Sequence, residues 1–113
     1  MKNIYNAYIK NWWLKKEEGT LLLKLEIRST EGTAIINVLP NEIEKLFNVL
    51  HILDIKELKN APCIALVTDR IIRTIGNFMF LSVENIYSDK ERINELDSKH
   101  WLDYNIYLKY KDK

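Results

Sequence analysis

Three early stretches alternate apolar and polar residues with a period of two, the pattern of half-buried strands. Residues 3–13 set Tyr5, Ala7 and Ile9 against Asn6, Tyr8 and Lys10, and end at Trp12-Trp13. A polar turn from Leu14 to Gly19 follows, with glycine at its exit. Leu21, Leu23, Leu25 and Ile27 then face one way, and Leu22, Lys24, Glu26 and Arg28 the other. Ser29-Thr30-Glu31-Gly32 reads as a hairpin turn into Ala34, Ile36 and Val38. Three consecutive antiparallel strands are expected, with one face packed on whatever comes next.

What comes next has helical spacing. Ile43, Leu46, Phe47, Leu50 and Leu53 form one apolar stripe, leaving Glu42, Glu44, Lys45 and Asn48 on the wet side. Two starts fit: Pro40 at the first helical position, or Asn41 as the cap with Glu44 reaching back. His51 sits at the stripe's edge, where an imidazolium would complement the helix C-terminus. Beyond a turn over residues 54–60, Cys63 to Thr68 and Ile71 to Ile75 read as a hairpin around Asp69-Arg70. Ile64-Ala65-Leu66-Val67 is apolar on both faces, which suits an interior strand. Gly76-Asn77 marks a kink of the kind that positive φ allows. Phe78 to Val83 reads as a third short strand, and Ser88-Asp89-Lys90-Glu91 as a capping box opening a helix with Ile93 and Leu96 inward. Trp101 to Tyr110 fits a strand or a continued helix; its aromatic and β-branched residues favour the strand. The fold class predicted is α+β: an antiparallel β-meander packed on one central helix, followed by a β-hairpin and a second, C-terminal helix.

Composition bounds this picture. At 113 residues the chain is one domain, residues 1–113, and its 47% hydrophobic and 29% charged content is that of an ordinary globule. No run approaches the ~20 apolar residues of a membrane span, and the first residues lack the apolar block of a signal peptide. One cysteine forms no internal disulfide, so Cys63 is expected to be a buried, inert thiol in a reducing cytoplasm. The net charge of +1 is too small for a dedicated duplex-binding protein. It hides a segregation, because residues 1–16 hold four lysines and no acid. Richness in Ile, Lys and Asn fits an AT-rich coding sequence, hence a low-GC bacterium or its phage.

Reactive chemistry finds little support. His51, His100 and Cys63 have none of the spacings of structural zinc, and no serine or cysteine stands beside a histidine in sequence. The three glycines are isolated, so there is no phosphate-cradling loop. Asp69, Glu84 and Asp89 are the acids that a metal site would draw on, yet Asp69 suits a turn and Asp89 a helix's first turn. No cofactor is implied, and the expectation is a protein that is not an enzyme. The suggestive surface is Lys10-Asn11-Trp12-Trp13-Leu14-Lys15-Lys16. Adjacent tryptophans on a strand face opposite ways, so at most one enters the core. The candidate binding residues are Trp12, Trp13, Lys15 and Lys16, with Arg70 and Arg73 as a smaller basic feature on the later hairpin. Aromatics among lysines suit single-stranded nucleic acid, and Trp is equally an anchor at protein interfaces. Tyr104, Tyr107 and Tyr110 with Lys109, Lys111 and Lys113 form a second aromatic-basic region with the same two readings.

Leu46, Val49 and Leu50, then Glu57-Leu58-Lys59, Pro62-Cys63, Ile71 and Ile75-Gly76 make up a further pattern. In it the central third of the chain resembles a family of small phage and prophage proteins. Members pair a β-meander and helix with an acidic-leucine-lysine-glycine-lysine-proline turn and an isoleucine-glycine element. The present chain has Asn60-Ala61 where that turn carries glycine-lysine. The resemblance implies a phage-derived, cytoplasmic binding protein that inhibits a host system, anti-CRISPR-like, by occupying a host protein or ribonucleoprotein complex. A small nucleic-acid-binding accessory protein is the alternative. Both readings are compatible with a homodimer; a membrane partner is not expected.

Overall fold

The computed structural model describes residues 3–78 and 98–112. Its strands are β1 (Ile4–Glu17), β2 (Thr20–Ser29), β3 (Thr33–Val38), β4 (Pro62–Thr68) and β5 (Ile71–Gly76). Helix α1 (Ile43–Leu50) lies between β3 and β4, and α2 (Tyr104–Tyr110) comes last. Single 3-10 turns at Pro40–Glu42 and Ile55–Leu58 flank α1.

The strands close into one barrel in the order β1-β2-β3-β5-β4. All neighbours are antiparallel except β3 and β5, which meet in parallel at the single pair Thr33–Ile71. A five-strand Greek-key ring with its helix between the third and fourth strands has the connectivity of an OB barrel. This overturns the predicted α+β arrangement of a meander packed on a central helix. The helix is too small for that role: eight residues make only about 12 Å of rise, and only Leu46, Val49 and Leu50 are buried on it. The sheet instead curls so that its apolar face covers itself. Leu23, Leu25 and Ile27 of β2 share one core with Cys63, Ala65 and Val67 of β4 and Ile72 and Ile75 of β5. Small residues at Ala7, Ala34, Cys63 and Ala65 leave room for the larger ones, as the narrow interior of a small barrel requires.

Two devices bend the ring. A bulge between Ile9 and Asn11 shifts β1 by one residue, so Ile4–Tyr8 pair with β4 while Ala7–Glu17 pair with β2. At Gly32, an added Cβ would lie 2.8 Å from Val67 Cγ1 and 3.0 Å from the Arg70 carbonyl oxygen. Only glycine lets the β2–β3 turn press against the β4–β5 turn, where Thr33 N–H donates to the Arg70 carbonyl. Both tight hairpin turns run through positive φ at their two central residues, Glu18-Gly19 and Asp69-Arg70, the twist that two-residue hairpins favour.

Several boundaries differ from expectation. β1 does not stop at the tryptophans but continues to Glu17, because β2 offers it a partner to the end. α1 stops at Leu50: His51 takes the left-handed conformation as its C-cap, and Leu53, expected on the buried stripe, is 95% exposed. Pro40 does open the turn leading into α1, and the Glu42 side chain accepts from Leu39 N–H. Gly76 needs no positive φ; a Cβ there would meet the Trp101 ring at 2.8 Å. Residues 104–110 form a helix, not the favoured strand, with Asp103 Oδ1 accepting from Ile106 N–H. The strand expected over 78–83 and the helix expected from Ser88 lie, beyond Phe78, outside the described residues.

β4 is apolar on both faces for a reason now visible. One face lines the barrel, and the other, through Ile64 and Leu66, joins Ile4 beneath Trp101 and Tyr107 in a second core. The Trp101 and Tyr107 rings stack 4.5 Å apart at 11°. Asn3 Nδ2 donates to the carbonyls of Tyr110 and Lys111, tying the first strand to the end of α2. No helix among the described residues is long and apolar enough to cross a membrane.

Candidate binding surface

Cross-strand register fixes which side chains share the outer face of β1, β2 and β3, because directly paired residues point the same way. Tyr8 stands beside Arg28 and Thr33; Asn11 beside Glu26 and Ile35; Trp13 beside Lys24 and Asn37; Lys15 beside Leu22. The face thus carries two aromatic rings on β1 and a column of charged residues on β2. Lys24 lies 2.9 Å from Glu17 and donates to Asn37 Oδ1 at 3.0 Å, and Lys15 reaches Glu17 at 3.3 Å. The hydrogen bond from Lys24 holds the Glu17 carboxyl below its ordinary value. Arg28 donates through Nε and Nη2 to Glu26 Oε2, at 3.1 and 2.9 Å.

The bulge decides how the two tryptophans divide. Trp12 pairs with Leu25 and packs against the barrel core, whereas Trp13 pairs with Lys24 on the outside. Lys15 accompanies Trp13, and Lys16 shares the face of Trp12 and Leu14. The four residues expected to act together are therefore split between two faces. Arg70 stands in the β4–β5 turn and, with Arg28 and residues 29–33, lines a cavity of about 290 Å³ at the end of the outer face. Arg73 is occupied elsewhere: Nε donates to Thr68 Oγ1 at 2.7 Å, and the guanidinium lies 4.6 Å from the Tyr110 ring centroid. It secures α2 to the β4–β5 hairpin. The second aromatic-basic region is largely spent in the same way, with Tyr107 buried on Trp101.

Tyr8, Lys24, Arg28 and Ile35 belong to the surface although sequence reasoning did not single them out. The signal was present in the alternation of Lys24, Glu26 and Arg28 along β2, whose neighbours only the register reveals.

The residues weighed for reactive chemistry are dispersed. Cys63 faces the barrel interior, where burial pushes its thiol up to about 12. His51 Nε2 lies 2.8 Å from Asn77 Nδ2, whose amide donates to the ring nitrogen. Among the described residues no three His, Cys, Asp or Glu side chains come together as a metal site. Asp69 is in the exposed hairpin turn; Glu84 and Asp89 lie outside the described residues. Comparison with protein-family models, with curated proteins and with solved structures finds no match.

Proposed function

We propose that this chain is a non-enzymatic binding module whose ligand is single-stranded nucleic acid, held on the outer face of β1–β3. The observation that carries this reading is the placing of half-buried Trp13 and exposed Tyr8 on one outer face with Lys15, Lys24 and Arg28. Rings of this kind offer stacking platforms that accept any base, while neighbouring cations follow the phosphates. The same region, the face of the second and third strands, is where OB barrels take oligonucleotides. That parallel of connectivity is an analogy, and the residues carry the argument. Because Glu17 and Glu26 neutralise part of the charge, affinity rests on stacking more than on bulk attraction.

The test is fluorescence anisotropy with a labelled oligo-dT of about 12 nucleotides, within the range of one OB barrel. Binding should be saturable and should weaken as salt rises, through counterion release. Trp13→Ala should weaken it roughly 5- to 100-fold, the loss of one stacked base, with an unchanged circular dichroism spectrum. No saturable binding at low salt, or equal binding by the variant, sinks the reading.

A second reading has its own support. The tip of the β1–β2 hairpin, beyond the pairing of Leu23 with Val38, has no third strand beside it among the described residues, and Leu14 and Leu21 are half exposed on one of its sides. Apolar side chains so placed suit a protein partner. On this reading the chain is a phage counter-defence inhibitor that occupies a host protein. Affinity purification from a bacterial lysate separates the two. Nuclease digestion should strip the bound material under the first reading, and leave one host protein bound under the second.

A further inference from the structure

We infer that the free edge of β3 is an interaction edge, and that its partner is the same edge of a second copy, paired antiparallel about a twofold axis.

β3 pairs along its whole length with β2, but on its other side it meets β5 only at Thr33–Ile71. From Ala34 to Val38 its outer backbone groups have no strand partner among the described residues. The seam is open to solvent as well. Ala34 and Ile36 point inward, yet they are only partly buried, unlike Leu25 and Ile27 beside them. Ile35 is 59% exposed on the outer face, and Ile71, across the seam, 46%.

An unpaired edge invites another strand, and soluble proteins guard such edges with lysine, proline or a bulge. β3 has none of these. Its sequence, Thr33-Ala34-Ile35-Ile36-Asn37-Val38, contains no charged residue, no proline and no glycine, and three of the six are Ile or Val. β1, β2 and β5 all carry lysine or arginine. The one other uncharged strand is β4, which is flanked by neighbours on both sides. Beyond Thr33, β3 therefore has the composition of a strand with two neighbours and, among the described residues, the surroundings of a strand with one.

Its lack of charge lets β3 accept a second copy of itself. An uncharged segment meets no like-charge penalty when it pairs with itself, and an isologous contact repeats each favourable pair twice. Backbone hydrogen bonds supply the recognition, as in other strand additions. The pairing would join two outer faces into one continuous surface of six strands, with Ile35 of each copy at its centre.

Sedimentation velocity over a concentration series, with no nucleic acid present, tests this apart from the proposed ligand. The wild-type chain should pass from monomer to dimer as concentration rises. Slowed amide exchange in the dimer should be confined to residues 34–38. Ile35→Lys places a guard on the edge at a solvent-facing position and should raise the dimer dissociation constant at least about tenfold. Ile35→Thr, β-branched and uncharged, should still dimerise. A wild-type chain that stays monomeric throughout overturns the inference. So does a lysine variant that dimerises as well as the wild type, or a dimer whose protected amides lie elsewhere. Oligonucleotide binding by a strict monomer would refute the edge contact alone and leave the proposed ligand standing.

Discussion

Cys63 shows how the barrel interior sets the chemistry of a single group. Its thiol is pushed from 9.0 to about 12 by burial, with no charged neighbour involved. Thiolates attack and thiols do not, so this side chain is inert in the folded state. The same shift has a consequence for stability. Between about pH 9 and 12 the folded chain keeps a proton that an unfolded cysteine releases, so unfolding is favoured progressively as pH rises. Below that window both states hold the proton and nothing is lost. Denaturant unfolding near pH 8 and near pH 10 should therefore show the wild type losing on the order of 1 kcal/mol more than Cys63→Ala. Residue identity alone made burial of Cys63 legible, since it opens an apolar strand. It misled at Leu53, which continues the arithmetic of the α1 stripe but follows a left-handed His51 that has already ended the helix.

At the level of elements, turns and hairpins were readable because their causes are local. Gly19 marks the first turn, although β1 runs on to Glu17 through residues expected to be turn; Asp69-Arg70 interrupts an apolar stretch, and Leu39-Pro40 announces the start of the helix. α2 was not readable. Its aromatic and β-branched residues prefer strands, and what overrides them is partly a local cap and partly distant contact. Asp103 accepts from Ile106 N–H at the start, Asn3 closes the end from across the chain, and Tyr107 lies on Trp101. Asp103→Ala should cost about 1 kcal/mol, read as a lower denaturant midpoint with helical ellipticity lost first. Asp103→Asn should keep most of the stability, because asparagine caps as well. The candidate surface was half legible for a related reason. Alternation places Trp12 and Trp13 on opposite faces, but only the register with β2 shows that Lys24 and Arg28, not Lys16 and Arg73, accompany the outward-facing, half-buried ring of Trp13.

For the molecule as a whole, the curl of the sheet was the feature hidden from the sequence. The β1–β2, β2–β3 and β4–β5 hairpins are consistent with an open meander; closure depends on β4 crossing to β1 and on β5 reaching β3, contacts with no local signature. The small inner residues Ala7, Ala34 and Ala65 were the available hint. Outside the ring, the C-terminal segment covers Ile4, Ile64 and Leu66, and Trp101 is its fully buried centre. Trp101→Ala should destabilise the protein by about 3–5 kcal/mol, as other large core truncations do. Trp101→Phe should cost much less, because it keeps an aromatic ring for Tyr107 to stack on. Thermal melting of the two variants checks the contrast. The contact of Thr33 with Ile71 and the Arg70 carbonyl is the narrowest junction of the ring. Its other four junctions are ladders of five or more residue pairs, which join β3-β2-β1-β4-β5 into one ribbon. Separating the ends at this one pair therefore sacrifices the fewest backbone bonds of any way to open the ring. A bracelet opens at its clasp, so amide hydrogen exchange at Thr33 should be faster than in the paired band.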